Sequence, residues 1–394
     1  MIAATLQSLD PSVIGERLRI AREAKQITQK DAAAGIQVAR TTLLAIEQGQ
    51  RRVRIDEIQS LARLYGTSVN ELLRHEAVHV DLVPRFRKLP NSSDPAAEAA
   101  AQLLSDLTRA EVELEALLGS ERRRNYPPDR PLRAGDVRVQ AEQDALELRQ
   151  RLGLGVAPVT DMVTLLEMEL GIRVYVRPLE SRISGVFAYD DAIGACILLN
   201  ARHSKGRRNQ TAGHELGHFI SARNRPEVLH RDEGEMSREE RYAGVFGRCF
   251  VTPSGAVRQK FQEVVAGSAR LTRRHLIVLA HFFGVSREAI ARRLEELKLV
   301  KTGMWQWFQD EGGITDDQVR QVLGDLATPS ANSEDQMRPT TLRLSLLAAA
   351  AYGQGLLSEG QLARLLHLDR VELRRMFQDL EMLDDDVNAP PLLL

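Results

Sequence analysis

The feature that most constrains the fold of this chain is the pentapeptide His-Glu-Leu-Gly-His at residues 214–218. On a helix, side chains four residues apart lie on the same face, one turn from each other. His214 and His218 can therefore reach one metal ion together, with the carboxylate of Glu215 beside them. Two histidines at this spacing form the first half of a zinc-binding site.

The residues around the pentapeptide favour a packed helix over a stretch of solvated surface. Leu216, Phe219 and Ile220 give the helix an apolar face that would bury against a domain core. Gly217 removes a side chain where close packing or the metal would crowd it. The sequence therefore predicts a helix with one buried face and two histidines on the opposite face.

Short apolar runs upstream of the pentapeptide predict a small sheet. Residues 184–189 and 195–200 are two such runs, separated by acidic residues and Gly194. This pattern predicts a β-hairpin just before the metal-binding helix. Residues 174–176 predict a further strand, so the region is expected to have an α+β fold.

The third metal ligand is predicted to be a carboxylate. Gluzincin-type sites take a Glu from a following helix, and Glu240 lies 22 residues after the second histidine. A metzincin would need Gly and His where this chain has Ser221 and Asn224, so that class is excluded. His230 remains as an alternative ligand, within a segment, 226–232, that is predicted to be a loop.

The span from Ala141 to Leu299 resembles the ImmA/IrrE-type metallopeptidases. The segments that carry this resemblance are Ile183–Gly185, Asn200, residues 207–218 and residues 240–246, where the family usually reads E-x-x-A-N/D-x-F-A. The resemblance implies a zincin-like core in which Glu240, and not Glu239, is the third zinc ligand.

Two positions depart from this family pattern. Gly244 stands where the family has Asn or Asp, a residue type that can orient a metal ligand by hydrogen bonding. Gly247 replaces a small Ala. We expect these departures to affect the catalytic rate more than metal binding.

The chemistry expected of such a centre is peptide-bond hydrolysis. Three protein ligands leave a fourth position on zinc for water, whose pKa falls towards about 7. Glu215 is expected to take the proton of that water and pass it to the leaving amine. Two histidines and one carboxylate favour Zn²⁺, with Mn²⁺ as the alternative. Arg248 is a candidate for stabilising the oxyanion, although a surface arginine is the simpler interpretation.

The N-terminal residues 14–73 predict a small all-helical domain, because apolar side chains recur at helical spacing with short joins. This region resembles the XRE/Cro-like helix-turn-helix family. The residues that carry the resemblance are Leu18, Arg19, Ala21, Arg22, Thr28, Gln29, Ala33, Ile46, Glu47, Gly49, Leu61, Ala62 and Tyr65. It departs from the family at the turn, where Gln37 replaces the usual Gly and Ala39 the usual Ser cap.

The resemblance implies that the helix from about Ala39 to Gln48 enters the major groove of double-stranded DNA. Arg40 and Thr41 would contact base edges, with Gln29 reaching from the preceding helix. The residues expected to contact phosphates are Lys30, Arg51 and Arg52. Residues 11–74 hold 11 Lys/Arg and 7 Asp/Glu in a chain of net charge −1, which suits DNA. The alternative is a helix-turn-helix used for protein contact.

We predict four segments along the chain. They are a DNA-binding helix-turn-helix domain at 1–76, a linker with one long helix at 77–135, a metallopeptidase domain at 136–300 and a helical C-terminal accessory domain at 301–394. The basic run at 122–124 in the linker is expected either to touch nucleic acid or to be solvated. From residue 301 the chain holds 8 Lys/Arg and 15 Asp/Glu, so non-specific DNA binding there is not expected.

Composition and hydrophobic pattern indicate where in the cell the protein works and in what form. The chain has no 18-residue apolar run and no secretory signal pattern, so we expect a cytoplasmic protein without membrane contact. Two cysteines are too few for a disulfide framework. Helix-turn-helix proteins commonly dimerise to match two DNA half-sites, so a homodimer is expected.

Together these features predict a zinc-dependent endopeptidase that is also a DNA-binding transcriptional regulator. Members of the resembling family cleave helix-turn-helix repressors, so the resemblance implies a protein substrate of that kind. The alternative is a non-proteolytic transcription factor whose peptidase-like domain senses a metal, a metabolite or a peptide. The presence of Glu215 favours proteolysis, because a pure sensor does not need a general base.

Overall fold

The described part of the chain, in this computed structural model, comprises residues 11–25, 27–65, 72, 94–223, 227–230, 237–324 and 340–381. It forms two compact units. The first unit contains the N-terminal helices, and the second contains a sheet with the helices around it.

Four short helices make up the N-terminal unit: α1 (Pro11–Ala24), α2 (Gln29–Gly35), α3 (Arg40–Glu47) and α4 (Ile55–Tyr65). Their apolar faces meet in a core that contains Leu18, Leu43, Ile46, Ile58 and Leu61. Thr28 caps α2, because its hydroxyl accepts a hydrogen bond from the backbone N–H of Asp31 at 3.2 Å. The predicted all-helical N-terminal region is confirmed.

The turn between α2 and α3 has the two weak points that the sequence indicates. Gln37 has φ 57°, in the left-handed region that a residue with a Cβ seldom adopts. Ala39 is the N-cap of α3 and has no side-chain oxygen to accept a hydrogen bond from the first turn. The turn therefore depends on the packing of the two helices more than on its own residues.

A four-stranded sheet with the order β1-β3-β2-β4 forms the centre of the second unit. The strands are β1 (Arg173–Arg177), β2 (Ile183–Asp190), β3 (Gly194–Asn200) and β4 (Glu227–His230). Strand β1 is parallel to β3, whereas β2 is antiparallel to both β3 and β4. The predicted hairpin, formed by β2 and β3, is confirmed, and so is the predicted strand β1.

Strand β4 corrects the prediction of a loop at residues 226–232. Residues 227–230 instead pair with the edge of β2, with Val228 opposite Val186 and His230 opposite Ile183. A four-residue strand is too short to show a periodicity in the sequence. It forms because β2 offers an edge whose backbone groups need partners.

The remaining helices lie along the chain as follows: α5 (Pro95–Leu118), α6 (Val137–Arg151), α7 (Met162–Thr164, continued by a π-helical turn at Leu165–Glu169), α8 (Lys205–Ser221), α9 (Arg238–Val251), α10 (Ser254–Val265), α11 (Arg273–Phe283), α12 (Arg287–Glu296), α13 (Met304–Asp310), α14 (Asp316–Leu323), α15 (Leu342–Gly353), α16 (Glu359–Leu365) and α17 (Arg370–Glu381). Among these described helices, none is long and apolar enough to cross a membrane. The segment boundaries at 76, 135 and 300 stay predictions.

The two faces of the sheet are covered by different helices. Side chains alternate between the faces of a strand, so Val174 and Ile197 join the apolar core beneath α8, which also contains Leu216 and Phe219. Tyr175 points to the other face, where its hydroxyl donates to a carboxylate on α5. Helix α5 is capped at its start by Asp94, whose side chain accepts a hydrogen bond from the backbone N–H of Ala96 at 3.0 Å.

A buried set of charged residues lies between α5, β1 and the start of α15, and we call it the arginine–glutamate cluster: Glu111, Glu115, Arg122, Arg173 and Arg343. Arg173 donates to both carboxylate oxygens of Glu115, at 3.0 and 2.7 Å, and Arg343 donates to Glu115 at 3.0 Å. Arg122 donates to Glu111 and to Glu115. The prediction that Arg122 is solvated or touches nucleic acid is therefore wrong, since its side chain is 4% exposed.

Candidate metal centre and DNA interface

Helices α8 and α9 approach each other closely because small residues line their contact. An added Cβ at position 247 would lie 2.7 Å from the backbone of Gly213 and from the N atom of His214. An added Cβ at position 217 would lie 2.7 Å from Cα of Ala243. Gly247, which departs from the family pattern, is thus the residue that allows this approach.

This close approach brings three potential metal ligands together. Nε2 of His214 lies 3.2 Å from Oε2 of Glu240, and Nε2 of His218 lies 3.1 Å from Oε1 of the same carboxylate. The two Nε2 atoms are 3.0 Å apart, and all candidate ligand atoms of the three residues lie within 4.8 Å of one another. Ser237 caps α9 by accepting from the backbone N–H of Glu240 at 3.1 Å, which fixes this glutamate in the first turn of the helix.

The donor set fits zinc. Zinc–nitrogen and zinc–oxygen bonds of about 2.0–2.2 Å at tetrahedral angles place neighbouring ligand atoms about 3.3–3.5 Å apart. The three separations given above are only slightly shorter than that. Two imidazoles and one carboxylate also leave one tetrahedral position for water, as catalytic zinc sites do.

The electrostatics of the site favour the protonation states that bind a metal. Burial alone would raise the pKa of Glu240, but hydrogen bonds with His214 and His218 outweigh it and hold this pKa well below the usual range. Burial lowers the pKa of His214, against the opposing effect of Glu240. A charged carboxylate and a neutral imidazole are the ligand forms that zinc requires.

Glu215 lies next to the first ligand and is fully buried, with 0% of its surface exposed. Its carboxylate packs over β2 at Gly185, where an added Cβ would lie 2.7 Å from Oε1. The glycine of the Ile183–Gly185 motif therefore makes room for the residue that was predicted to be the general base. The carboxylate of Glu215, packed against β2, would therefore act in surroundings of low dielectric constant, where electrostatic interactions are stronger than in water.

Two residues that the sequence analysis did not assign to the site hold its helices in place. Asn209 of α8 donates from Nδ2 to the carbonyls of Thr160 at 3.1 Å and Gly284 at 2.8 Å. Tyr242 of α9 donates its hydroxyl to Asp144 of α6 at 2.8 Å. Both side chains are buried. Their partners lie far away along the chain, so no local sequence pattern could have predicted these hydrogen bonds.

Arg248, the residue considered as an oxyanion donor, lies on α9 two turns after Glu240. Its Nε is 3.5 Å from Oε2 of Glu296, and its side chain is 42% exposed. An added Cβ at Gly244 would lie 3.9 Å from Nη1 of Arg248 and 4.0 Å from Nδ1 of His214. Arg248 is therefore close to the metal centre, while its role with an oxyanion stays a prediction.

The predicted DNA-binding side chains fall into two groups in the N-terminal unit. Arg40 and Thr41 are exposed at the N-terminus of α3, and Lys30 and Arg52 are also exposed. In contrast, the amide of Gln29 donates to Glu47 at 2.9 Å.

Two ion pairs organise this unit. The buried Glu47 is paired with Arg22, whose Nε lies 2.6 Å from the carboxylate. Arg51 donates through both terminal nitrogens to Glu57, at 3.0 and 2.9 Å. Arg51 therefore has an intramolecular partner that a DNA phosphate would have to share or replace.

Comparison with known proteins finds that two regions of this chain match family models. Residues 13–75 match the model of the helix-turn-helix domain, and residues 167–295 match the IrrE N-terminal-like domain of the M78 peptidases. These matches confirm the two resemblances that the sequence motifs indicate. The first match covers most of α1 and all of α2 to α4, and the second includes the sheet, the pentapeptide and Glu240.

One curated relative is the cryptic phage CTXphi transcriptional repressor RstR of Vibrio cholerae. It is 26% identical over 97 residues, which are 24% of this chain and 87% of the relative. Among solved structures, the apo form of the competence regulator ComR from Streptococcus vestibularis is 12% identical, and the match covers 96% of this chain and 100% of that one. ComR from Streptococcus suis is also 12% identical, and the match covers 96% of this chain and 97% of that one. Their TM-scores are 0.16, which is too low to indicate a shared fold.

Proposed function

We propose that this chain is a DNA-binding transcriptional regulator with a zinc endopeptidase centre, and that it cleaves a protein substrate, most simply a helix-turn-helix repressor. The observation that supports this best is the convergence of His214, His218 and Glu240 from two helices, with the buried Glu215 beside them. A carboxylate and two histidines could be a chance grouping on a surface. A fourth residue with the position of a general base argues for chemistry.

In this proposal His214, His218 and Glu240 hold the metal, with zinc favoured and manganese as the alternative. Bound zinc supplies a Lewis acid for a water molecule and for the peptide carbonyl. Glu215 accepts the proton of the attacking water and then donates it to the amine that leaves, so that water is added across the broken C–N bond. Burial of Glu215 against Gly185 keeps its carboxylate oriented for both transfers.

The N-terminal unit supports the regulatory half of the proposal. Exposed Arg40 and Thr41 at the start of α3 suit contacts with base edges in a major groove, and a homodimer would place two such helices on two half-sites. The relative RstR is named a transcriptional repressor. By analogy we infer that this chain binds double-stranded DNA and that its substrate is a protein acting on the same DNA.

The metal and the cleavage can be tested together. We expect about one zinc per chain in the purified protein, lost in His214→Ala and Glu240→Ala but kept in Glu239→Ala, which alters the adjacent acid. Candidate repressors encoded nearby should be cut by the wild type and not by Glu215→Gln, with zinc content unchanged in that variant. A protein that holds no metal, or cutting that survives Glu215→Gln, would refute the peptidase.

DNA binding has its own test. Selection from a random duplex library should yield a preferred site, and Arg40→Ala should weaken binding to it by about 1–3 kcal/mol. Arg63→Ala is a suitable control, because it removes an exposed arginine on α4 outside the predicted contacts. Equal losses for the two variants would argue against base contacts by Arg40.

A second function is favoured by one observation, the space at Gly244 beside His214. A regulator that senses a ligand through its metal centre would need such a space. If the protein retains zinc, binds DNA and never cleaves a repressor, the sensor is the better assignment.

A further inference from the structure

Gly244 leaves a gap beside the metal centre. Glu240, Gly244 and Arg248 are spaced by four residues, so they follow one stripe of α9. Among the described residues, the atoms nearest to an added Cβ at 244 are Nη1 of Arg248 at 3.9 Å and Nδ1 of His214 at 4.0 Å. A Cβ at this position would make only ordinary van der Waals contacts with these two nitrogens, so the missing side chain leaves room beside an imidazole and a guanidinium.

Both nitrogens at this gap are hydrogen-bond donors when the centre is loaded. His214 directs Nε2 towards His218 and Glu240, so an imidazole that binds a metal through Nε2 carries its proton on Nδ1. Arg248 is held from the other side, where its Nε faces Glu296 at 3.5 Å.

A metal-binding histidine ordinarily donates its second N–H to a carboxylate, a carbonyl or a water, which fixes the ring. Gly244 has no side chain to accept that hydrogen bond. The acceptor best suited to this place is anionic, because Arg248 adds a positive charge, and has two oxygens, because two donor nitrogens lie beside the gap.

We propose that the gap at Gly244 is a binding site for a carboxylate, which accepts from Nδ1 of His214 and pairs with Arg248, and which thereby strengthens zinc binding. This inference rests on the proposed metal centre and adds a form of regulation to it. The carboxylate comes either from a free small acid or from an acidic side chain of a bound protein. In both cases, binding of a carboxylate in the gap would make the chain hold zinc more tightly.

The rate of zinc release from the full-length protein into an excess of chelator measures this effect. The probes are sodium formate and sodium acetate, compared with sodium chloride at the same ionic strength. We expect formate to slow zinc release from the wild type by about tenfold, the usual effect of a hydrogen bond to a ligating histidine. Gly244→Asp should release zinc slowly without formate and should not respond to it.

Three further variants separate the proposed site from a general effect. Gly244→Ala fills part of the gap without an acceptor, so it should fold normally and lose the response to formate. Arg248→Ala should also lose the response. Arg109→Ala should keep it, because Arg109 is an exposed arginine of α5 that pairs with Asp106.

The outcomes separate this inference from the proposed function. Zinc release that is the same in formate and in chloride, and is unchanged in Gly244→Asp, would overturn the carboxylate site while leaving the metal centre intact. A wild-type protein without zinc would overturn the metal centre itself. Peptides that contain Asp, compared with the same peptides containing Asn, identify a protein side chain as the source if only the acidic peptide slows release. Slowing by free acids alone identifies a small acid as the source.

Discussion

The sheet separates two groups of buried charge that differ in how their carboxylates are balanced. On the α5 face, Glu111 and Glu115 are surrounded by arginines of the arginine–glutamate cluster. On the α8 face, the carboxylate of Glu240 meets two imidazoles, and Glu215 lies buried next to them. Arginine keeps its charge at all relevant pH values, whereas burial lowers the pKa of His214 and favours its neutral form, so the second group has less positive charge of its own.

This difference teaches how to tell structural charge from functional charge. A carboxylate held by two or three arginines has its charge and its hydrogen bonds satisfied. Removing one of these partners leaves a buried charge without compensation, which strongly destabilises the folded protein. A carboxylate placed beside two imidazoles can instead share a bound cation such as zinc with them. Loss of a residue from the first group should therefore reduce stability, and loss from the second should reduce metal binding.

The largest effect on stability is expected from Arg173→Ala. The variant leaves Glu111 and Glu115 buried with less positive charge around them, and breaking a buried ion pair in this way costs about 3–5 kcal/mol. Urea unfolding followed by tryptophan fluorescence measures it, because both tryptophans, Trp305 and Trp307, are on α13 of the second unit.

The matched control for that variant is Arg109→Ala, which removes an arginine of α5 that is 48% exposed and pairs with Asp106. An exposed pair contributes about 0–1 kcal/mol, so this control should unfold nearly as the wild type does. Equal unfolding free energies for the Arg173 and Arg109 variants would contradict the structural role of the cluster.

An intermediate effect is expected from Gly247→Val, which acts on the helix contact beneath the metal centre. The added side chain would meet the backbone of Gly213 and His214 at 2.7 Å, so α8 and α9 must move apart. Overpacking of this kind costs about 1–3 kcal/mol, and the displaced ligands should also bind zinc more weakly.

Gly255→Ala is the control for the Gly247 variant. It adds a Cβ to a helical glycine of α10 that has nothing within 4 Å among the described residues. This control should be neutral or should stabilise the protein by up to about 1 kcal/mol, because Ala favours a helix over Gly. If Gly247→Val retains zinc as tightly as this control does, the close approach does not set the metal centre.

The same comparison shows what the sequence can predict and what it cannot. The grouping of His214 and His218, with Glu215 beside them, could be predicted because their spacing within one helix is a local property. Glu240 required a family pattern as well, since its approach depends on Gly213 and Gly247 across a helix contact. Local spacing does not encode such a contact.

The arginine–glutamate cluster escaped prediction for a similar physical reason. Arg122 lies in a basic run before a proline-rich stretch, a composition typical of a solvated linker. Its partners Glu111 and Glu115 are on α5, and Arg173 is on β1, so only the tertiary fold shows that the opposite charges pair. Strand β4 was missed because pairing with β2, and not its own four residues, makes it a strand.

A smaller effect is expected from pH, again on the α5 side. Burial alone would raise the pKa of Glu115, but Arg173, Arg122 and Arg343 outweigh it and lower this pKa below 4.5. A carboxyl with a lowered folded pKa contributes stability above its unfolded pKa, and this contribution is lost as pH falls through the folded pKa. We expect a loss on the order of 1 kcal/mol as the pH falls from 6 towards 3.

The measurement is the difference in unfolding free energy between the wild type and Glu115→Gln at several pH values. Using the difference cancels the other carboxyl groups, which titrate in the same range. The unfolding free energy of the wild type should exceed that of Glu115→Gln by less and less as the pH falls below about 4.5, because Gln does not titrate. An advantage that grows with acidity would mean that the arginines do not lower this pKa.

The smallest effect on stability, and the one that separates the two groups of charge most clearly, is expected from Glu240→Gln. Without metal, Gln keeps the size of the side chain and an oxygen that can accept from an imidazole N–H, and the Glu240 side chain is 24% exposed, so the unfolding free energy should fall by less than about 1 kcal/mol. Zinc at 100 times its dissociation constant should stabilise the wild type by about 2.7 kcal/mol, because it binds the folded state. The Glu240 variant should lack this gain, whereas Arg173→Ala, although weakened, should keep it. A zinc gain that survives Glu240→Gln, or that disappears in Arg173→Ala, would mean that the two faces of the sheet do not divide stability and metal binding between them.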